Sequence, residues 1–485
     1  MTTAARAGLR PSPPVFMDER LFGESMTVQD VTLSETQQTE QPRFSALRSL
    51  KIGTFHIGSS MTDVLLSGIW NRVMITDLGV VAWPVSLLLA ARYFLSPLAI
   101  WAGHQSDTHP LFGTRRTWYI WLGRLMMLLS LLLLPPSVGL IASGVNATLG
   151  WTLAVLSLLV YGTGTSISGA PYLALVHDSA PYEKRGQAVS ITQFMLVGSF
   201  AFIPVIYARV MPVYSQEAFW RLVILGMVGA AFFWVISIAG EERRQPARIA
   251  PAEEAEPPAS LRENLREIWS DERTRRYALF LAMSAFFAFM QDAVLEPFGG
   301  DVFKLTVGET TRFNAYWGTG VLVSMIITYA VTRRRRPDQQ VSTTAWGLAL
   351  LGIPLLLLAA AAFRESLPMV VPVLLLFGVG FGVFTVGGVS LLMAVNTAER
   401  AASYLALWSV IQLISRGLGI FAGGVIRDLG LTLTGEISAA YGIVFTVEAI
   451  GLFACIWLLR RVDVSGFAAS HRAVAATDNF VPTID

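Results

Sequence analysis

The stretch Trp101-Ala102-Gly103-His104-Gln105-Ser106-Asp107-Thr108-His109-Pro110-Leu111-Phe112-Gly113-Thr114-Arg115-Arg116 decides how the chain is read. It is a polar turn between two hydrophobic runs, 80–101 and 117–134. Each run is about as long as a helix needs to cross a hydrocarbon core of ~30 Å. The turn therefore makes two spans antiparallel neighbours and lies at one membrane face. Gly103, His104, Asp107, Arg115 and Arg116 form its motif, with a gating or structural role expected.

The composition agrees. Of 485 residues, 53% are hydrophobic and 14% charged, with a mean hydropathy of +0.55. Soluble domains carry roughly 25% charged residues, so this chain cannot cover itself with a polar surface and needs a lipid bilayer. The net charge of +2 implies no nucleic-acid partner, because the basic residues sit in short loops rather than on one face. A single cysteine, Cys455, excludes an internal disulfide and a cysteine-built metal site. Residues 1–43 are polar, without the apolar core of a signal peptide, and read as a disordered cytoplasmic tail.

Runs of about 20 apolar residues predict an all-α membrane protein with twelve transmembrane helices. They lie at 47–73, 80–101, 117–134, 149–176, 186–211 and 219–239, then 276–298, 313–332, 343–363, 367–395, 401–426 and 438–459. The expected organisation is a tail (1–43), a six-helix bundle (44–240), a cytoplasmic linker (241–275), a second six-helix bundle (276–461) and a tail (462–485). Arginine- and lysine-rich loops follow the even-numbered spans, which puts both termini in the cytoplasm. Within the linker, Ser260 and Glu263 form a capping box ahead of an amphipathic helix through Trp269.

The halves repeat. Met61-Thr62-Asp63-Val64-Leu65-Leu66 matches Met290-Gln291-Asp292-Ala293-Val294-Leu295, and Tyr161-Gly162-Thr163-Gly164 matches Phe377-Gly378-Val379-Gly380. Such repeats place a site between two halves near mid-membrane. Ionisable groups at that depth cost a few kcal/mol or more, so they face inward. His56, Ser60 and Asp63 share one helical face of the first span, and Arg92 is the partner expected for Asp63. Two readings stand for Asp63–Arg92, a structural lock or a substrate or proton site. Asp292 and Glu296, beside Gln291, stand one turn apart; they either share a proton or pair with a base such as Arg416. Arg124, Arg416 and Glu448 are expected in intramembrane ion pairs. The cleft set is thus His56, Ser60, Asp63, Arg92, Gln291, Asp292 and Glu296. No phosphate-binding loop, nucleophile elbow or zinc-ligand spacing occurs, so neither ATP-driven work nor an enzyme activity is expected.

Gly103, Asp107 and Arg115–Arg116 resemble the loop after the second helix of major facilitator superfamily transporters, with extra residues before the arginines. The runs 51–63, Ser67-Gly68-Ile69-Trp70-Asn71-Arg72 and 101–116 are similar to the PucC/LhaA family. So are Tyr119-Ile120-Trp121-Leu122-Gly123-Arg124, 162–178 and Glu296-Pro297-Phe298-Gly299-Gly300-Asp301-Val302-Phe303, followed by Val307-Gly308-Glu309-Thr310-Thr311-Arg312. The resemblance spans about 51–461. It implies a multi-pass protein of the bacterial inner, photosynthetic membrane that assists assembly of light-harvesting antenna complexes. Its implied partners are bacteriochlorophyll or its biosynthetic enzymes, and antenna polypeptides. No covalent cofactor is implied. Bound bacteriochlorophyll would place His56 and His104 as candidate ligands of the chlorin magnesium, beside the commoner reading of hydrogen-bonded histidines. The rival reading is a proton-coupled secondary transporter of a small amphiphile, with Asp63, Asp292 and Glu296 as coupling groups.

Overall fold

The computed structural model describes residues 44–242, 269, 272–335, 337–395 and 401–462. The expected tails and the capping box at Ser260 and Glu263 lie outside the described residues. What is described is helical, apart from an isolated bridge between Leu111 and Thr114. Among the described residues, ten helices are long and apolar enough to cross a membrane. A bent pair, Thr274–Ala293 with Leu295–Phe303, raises the number to eleven.

The stretch expected as the first span is built of pieces: α1 (Ala46–Gly53), α2 (Phe55–Asp63) and two π-helical segments, Val64–Trp70 and Val73–Asp77. Hydroxyls explain part of this. Ser59, Thr62 and Ser67 donate back to Phe55 O (3.1 Å), Ser59 O (2.9 Å) and Asp63 O (2.7 Å), competing with amides for carbonyls. Next come α3 (Ala82–Phe94) with α4 (Ser96–Thr108), α5 (Thr117–Leu131) with α6 (Leu134–Ser143), α7 (Ala147–Asp178), α8 (Arg185–Val210) and α9 (Gln216–Ile238). The second segment holds α10 (Glu272–Ala288), a 3-10 turn (Met290–Ala293), α11 (Leu295–Phe303), α12 (Val307–Thr332), α13 (Val341–Phe363), α14 (Val370–Val395), α15 (Ala401–Thr434) and α16 (Ile437–Arg460).

Helix α4 continues through Thr108, so the polar turn is shorter than its composition suggests. It reverses at Leu111-Phe112-Gly113-Thr114, where Phe112 and Gly113 both have positive φ (50° and 79°) and Leu111 and Thr114 exchange backbone hydrogen bonds. This primed turn geometry suits glycine at its second central position. Arg116 then reaches Asp178 (2.7 Å) and Asp107 (3.3 Å). Glu242 accepts the amides of Arg115, Arg116 and Thr117, seating a carboxylate on the N-terminus of α5. Glu241 pairs with Arg48 (2.6 Å) and Lys51 (2.7 Å), tying the end of α9 to α1.

The break between α10 and α11 has a covalent origin. Pro297 lacks an amide hydrogen, and its ring would clash with the carbonyl four residues back, that of Ala293. The chain leaves the helix there, and the freed Ala293 carbonyl accepts from Asn71 Nδ2 (2.8 Å), a side chain sealed from solvent. Asn71→Leu is expected to cost about 1–3 kcal/mol, the price of a buried unbonded carbonyl, when unfolding is followed in mixed detergent–SDS micelles. No measurable change would show that another donor replaces Asn71.

Buried apolar side chains form two clusters. One is drawn mainly from Ile52 to Ile238, the other from Tyr277 to Val462. The segments meet where α15 packs on α3 and α12 on α8.

Candidate functional site

Two ion pairs face each other across that meeting line. Asp63 ends α2, and its Oδ1 accepts from Arg92 Nη1 (2.5 Å) and the Tyr161 hydroxyl (3.1 Å). Asp292, in the 3-10 turn, accepts from Arg416 Nη2 (2.9 Å) and Gln291 Nε2 (3.2 Å). Tyr93 links the pairs. Its hydroxyl accepts from Arg92 (2.8 Å), while the Arg92 and Arg416 guanidiniums lie 4.7 and 4.9 Å from its ring centroid. Phe289 covers Arg416 at 3.9 Å. Both carboxylates thus sit where a helix leaves regular α geometry, Asp63 before the π segment and Asp292 in the turn. The repeat Met61–Leu66 and Met290–Leu295 marks both places.

The aspartate side chains stay 35% and 21% exposed. Beside Asp63 lies a partly enclosed cavity of about 300 Å³, walled by α2, α5, α7 and α8. Its aromatic wall is a stacked pair, Phe55 and Tyr172, with ring centroids 3.7 Å apart. His56 stands edge-on to Tyr172 at 5.2 Å and also lines the cavity.

Several expectations are corrected. Ser60 is fully buried and hydrogen-bonded to Ser199, away from the cavity; Ser59 takes its place on the lining face. Of the two readings for Asp292 and Glu296, Asp292 takes the pairing with Arg416, and no hydrogen bond joins the two carboxyl groups among the described residues. The helix break gives them separate partners, and Glu296 is bonded to Asn314, itself held by Trp317 Nε1 (3.1 Å). Arg416 is in an ion pair, but Arg124 and Glu448 are in none among the described residues. Arg124 lies over the rings of Phe55 (4.2 Å) and Trp234 (4.8 Å). Glu448 is sealed from solvent with neither oxygen hydrogen-bonded, and α13, packed along its helix, carries no basic residue. Gln291 is buried. His104 and Arg115 are exposed at the turn, and Gly103 packs near Ala170 of α7.

A second cluster was missed in the sequence. At the opposite end of the Ala82–Thr108 span from the Arg115–Arg116 turn, Arg427 binds Asp301 (2.8 Å) and Asp428 (2.8 Å). The Tyr441 hydroxyl donates to Asp301 (2.6 Å), and Asp428 caps α3 through the amides of Ala82 (3.1 Å) and Trp83 (2.7 Å). Arg72 pairs with Asp77 (2.5 Å) and donates to Leu305 O (2.8 Å). These bonds close that end across both segments. Adjacent Arg427–Asp428 reads in sequence as an ordinary loop pair, and only the fold brings Asp301 and Tyr441 to it.

A family model described as PUCC protein matches residues 69–467. A Rhodobacter capsulatus protein described as an uncharacterized protein in the puhA-bchM intergenic region is 32% identical over 394 residues, covering 78% of this chain and 80% of that one. Protein PucC of Rhodovulum sulfidophilum is 29% identical over 402 residues, covering 81% and 87%. A bacteriochlorophyll synthase 44.5 kDa chain of Rhodobacter capsulatus is 27% identical over 444 residues, covering 90% and 98%. Among solved structures, the nucleoside transporter NupG superposes with a TM-score of 0.62 at 11% identity, covering 86% of this chain and 99% of that one. The peptide transporter POT in complex with sulfate gives 0.61 at 13%, covering 87% and 96%. At such identities these two share the fold alone, a helical transporter fold. With the family model matching residues 69–467, most of its length, the chain belongs to the PUCC protein family.

Proposed function

We propose that this protein is an assembly factor for light-harvesting antenna complexes in a photosynthetic membrane, handling bacteriochlorophyll for them. The observation that carries this reading is the family match over residues 69–467, with relatives named for PucC and for bacteriochlorophyll synthesis. In this reading the chain forms twelve spans in two six-helix halves, 44–240 and 276–461, joined by the 241–275 linker. Both termini are cytoplasmic, in the bacterial inner membrane, and antenna polypeptides are the protein partners. The Arg72 and Arg427 clusters then lie at the side away from the cytoplasm. The role is non-enzymatic. Asp63–Arg92 lies in the first half and Asp292–Arg416 in the second, the two meet at the Tyr93 ring, and the His56 ring offers a nitrogen to a chlorin magnesium at the cavity wall.

Deletion of the gene in its native host is expected to remove one near-infrared antenna band from the membrane absorption spectrum while reaction-centre absorption persists. An unchanged spectrum would overturn the reading. Proton-coupled transport of a small amphiphile is the second reading, favoured by Glu296 and Glu448, buried carboxyl groups without cationic partners. Uptake into proteoliposomes driven by a pH gradient, and lost in Glu448→Gln, is the result that would put it ahead.

A further inference from the structure

We propose that the cavity recognises its ligand through a free carboxylate held by Arg124, so that the pigment it takes is the unesterified chlorin acid from which bacteriochlorophyll, itself an ester, is made. This rests on the pigment-handling reading above and names the chemical class of the ligand.

The argument is one of charge. Asp63 is the one carboxylate lining the cavity, and it is committed to Arg92 at 2.5 Å and to the Tyr161 hydroxyl. Arg124 lines the same cavity, is 4% exposed, and has no carboxylate within ion-pair distance among the described residues. Its Nη1 reaches only Ser59 Oγ (3.3 Å) and Met127 Sδ (3.2 Å), and its buried Nε has no partner. A guanidinium cannot escape by losing its proton. Its stacking on Phe55 and Trp234 recovers part of the cost of burying the charge. Removing an ion from water costs several kcal/mol, so the rings leave a deficit. An anion entering the cavity would fill it, and a carboxylate matches the guanidinium fork best.

The walls select the rest of the ligand. Phe55, Tyr172 and Tyr161 are buried in the wall and Met127 and Leu196 stand beside them, so the lining around Arg124 is largely apolar and suits a ligand whose acid is carried on an apolar ring. A volume of about 300 Å³ is at the small end for ligand sites. It accepts the acid-bearing edge of a chlorin, and a long esterifying alcohol attached at that edge would have no room. An ester also presents no negative oxygen to Arg124.

The test uses the purified full chain in detergent, titrated with chlorophyllide a, which carries the central magnesium and one free carboxylic acid, and with its methyl ester. Palmitate serves as a competitor for a fatty acid or lipid source of the carboxylate. The acid is expected to bind at least about 10-fold tighter than the ester, by one charge-assisted hydrogen-bond pair. Arg124→Gln is expected to abolish that preference and Arg124→Lys to retain part of it, with palmitate a poor competitor. Equal affinity for acid and ester in the unaltered protein overturns carboxylate recognition while leaving pigment handling intact. Failure of both chlorins to bind overturns the pigment reading as well. Palmitate competing as well as the chlorin acid, or Arg124→Gln keeping the preference, overturns the proposal too. Should Arg124→Gln fail to fold, the acid–ester comparison in the unaltered protein still decides.

Discussion

Arg427→Met is expected to lower the free energy of unfolding by about 3–5 kcal/mol, the cost of leaving buried carboxylates without their cation. Arg427 bridges Asp301 and Asp428 from one guanidinium, and the side chains of all three are at most 14% exposed. Asp301 would keep only the Tyr441 hydroxyl. Arg427→Lys should cost less than methionine but more than nothing, because a single ammonium cannot span both acids with the guanidinium's planar geometry. The double variant Arg427→Met/Asp301→Asn should recover part of the loss, since the uncompensated charge goes with the arginine. Unfolding of the purified protein in mixed detergent–SDS micelles measures all three. A loss under about 1 kcal/mol for Arg427→Met would mean that water reaches the acids and that the closure across the two segments is weak.

Gly423→Leu is expected to be the other large effect. Gly419 and Gly423 form a G-x-x-x-G pair on α15, and a Cβ on either would fall on a carbonyl of the broken helix, that of Phe286 for Gly419 and Met290 for Gly423. Small residues let membrane helices approach this closely. Forcing a leucine side chain into such a contact costs about 1–3 kcal/mol or more. The damage reaches the site, because Arg416 lies one turn before Gly419 and its partner Asp292 lies two residues after Met290. Gly423→Leu should therefore lose both stability and antenna assembly. Gly388→Ala is the control: nothing lies within 4 Å of its added Cβ, and a helical glycine replaced by alanine gains up to about 1 kcal/mol. If Gly423→Leu behaves like that control, the close packing of α15 on α10 and its turn does not hold the site together.

How much of this was legible beforehand follows from particular residues. The all-helical membrane class and most span positions could be read from hydropathy, because a bilayer admits few solutions for backbone hydrogen bonding. Asp63 and Arg92 could be paired on the same ground, since both are charges at depth on adjacent spans. Ser60 could not be placed. Its i+4 spacing from His56 suggested a shared face, yet Ser199 drew it away and Ser59 lines the cavity instead. Pro297 lies inside the run 276–298, which reads as one span, and nothing local said that Asn71, more than 200 residues earlier, would take the freed carbonyl.

What the amino-acid order alone determined is therefore what depends on short-range physics: which segments enter lipid and which charges must find partners. Which partner each charge finds was decided by tertiary structure. Arg416 meets Asp292, Arg427 meets Asp301, and Arg124 meets aromatic rings at the cavity wall. The reason is that pairing at depth depends on how whole helices are rotated and packed, which is set by many distant contacts such as Gly423 on Met290 and not by the spacing of charges along one span.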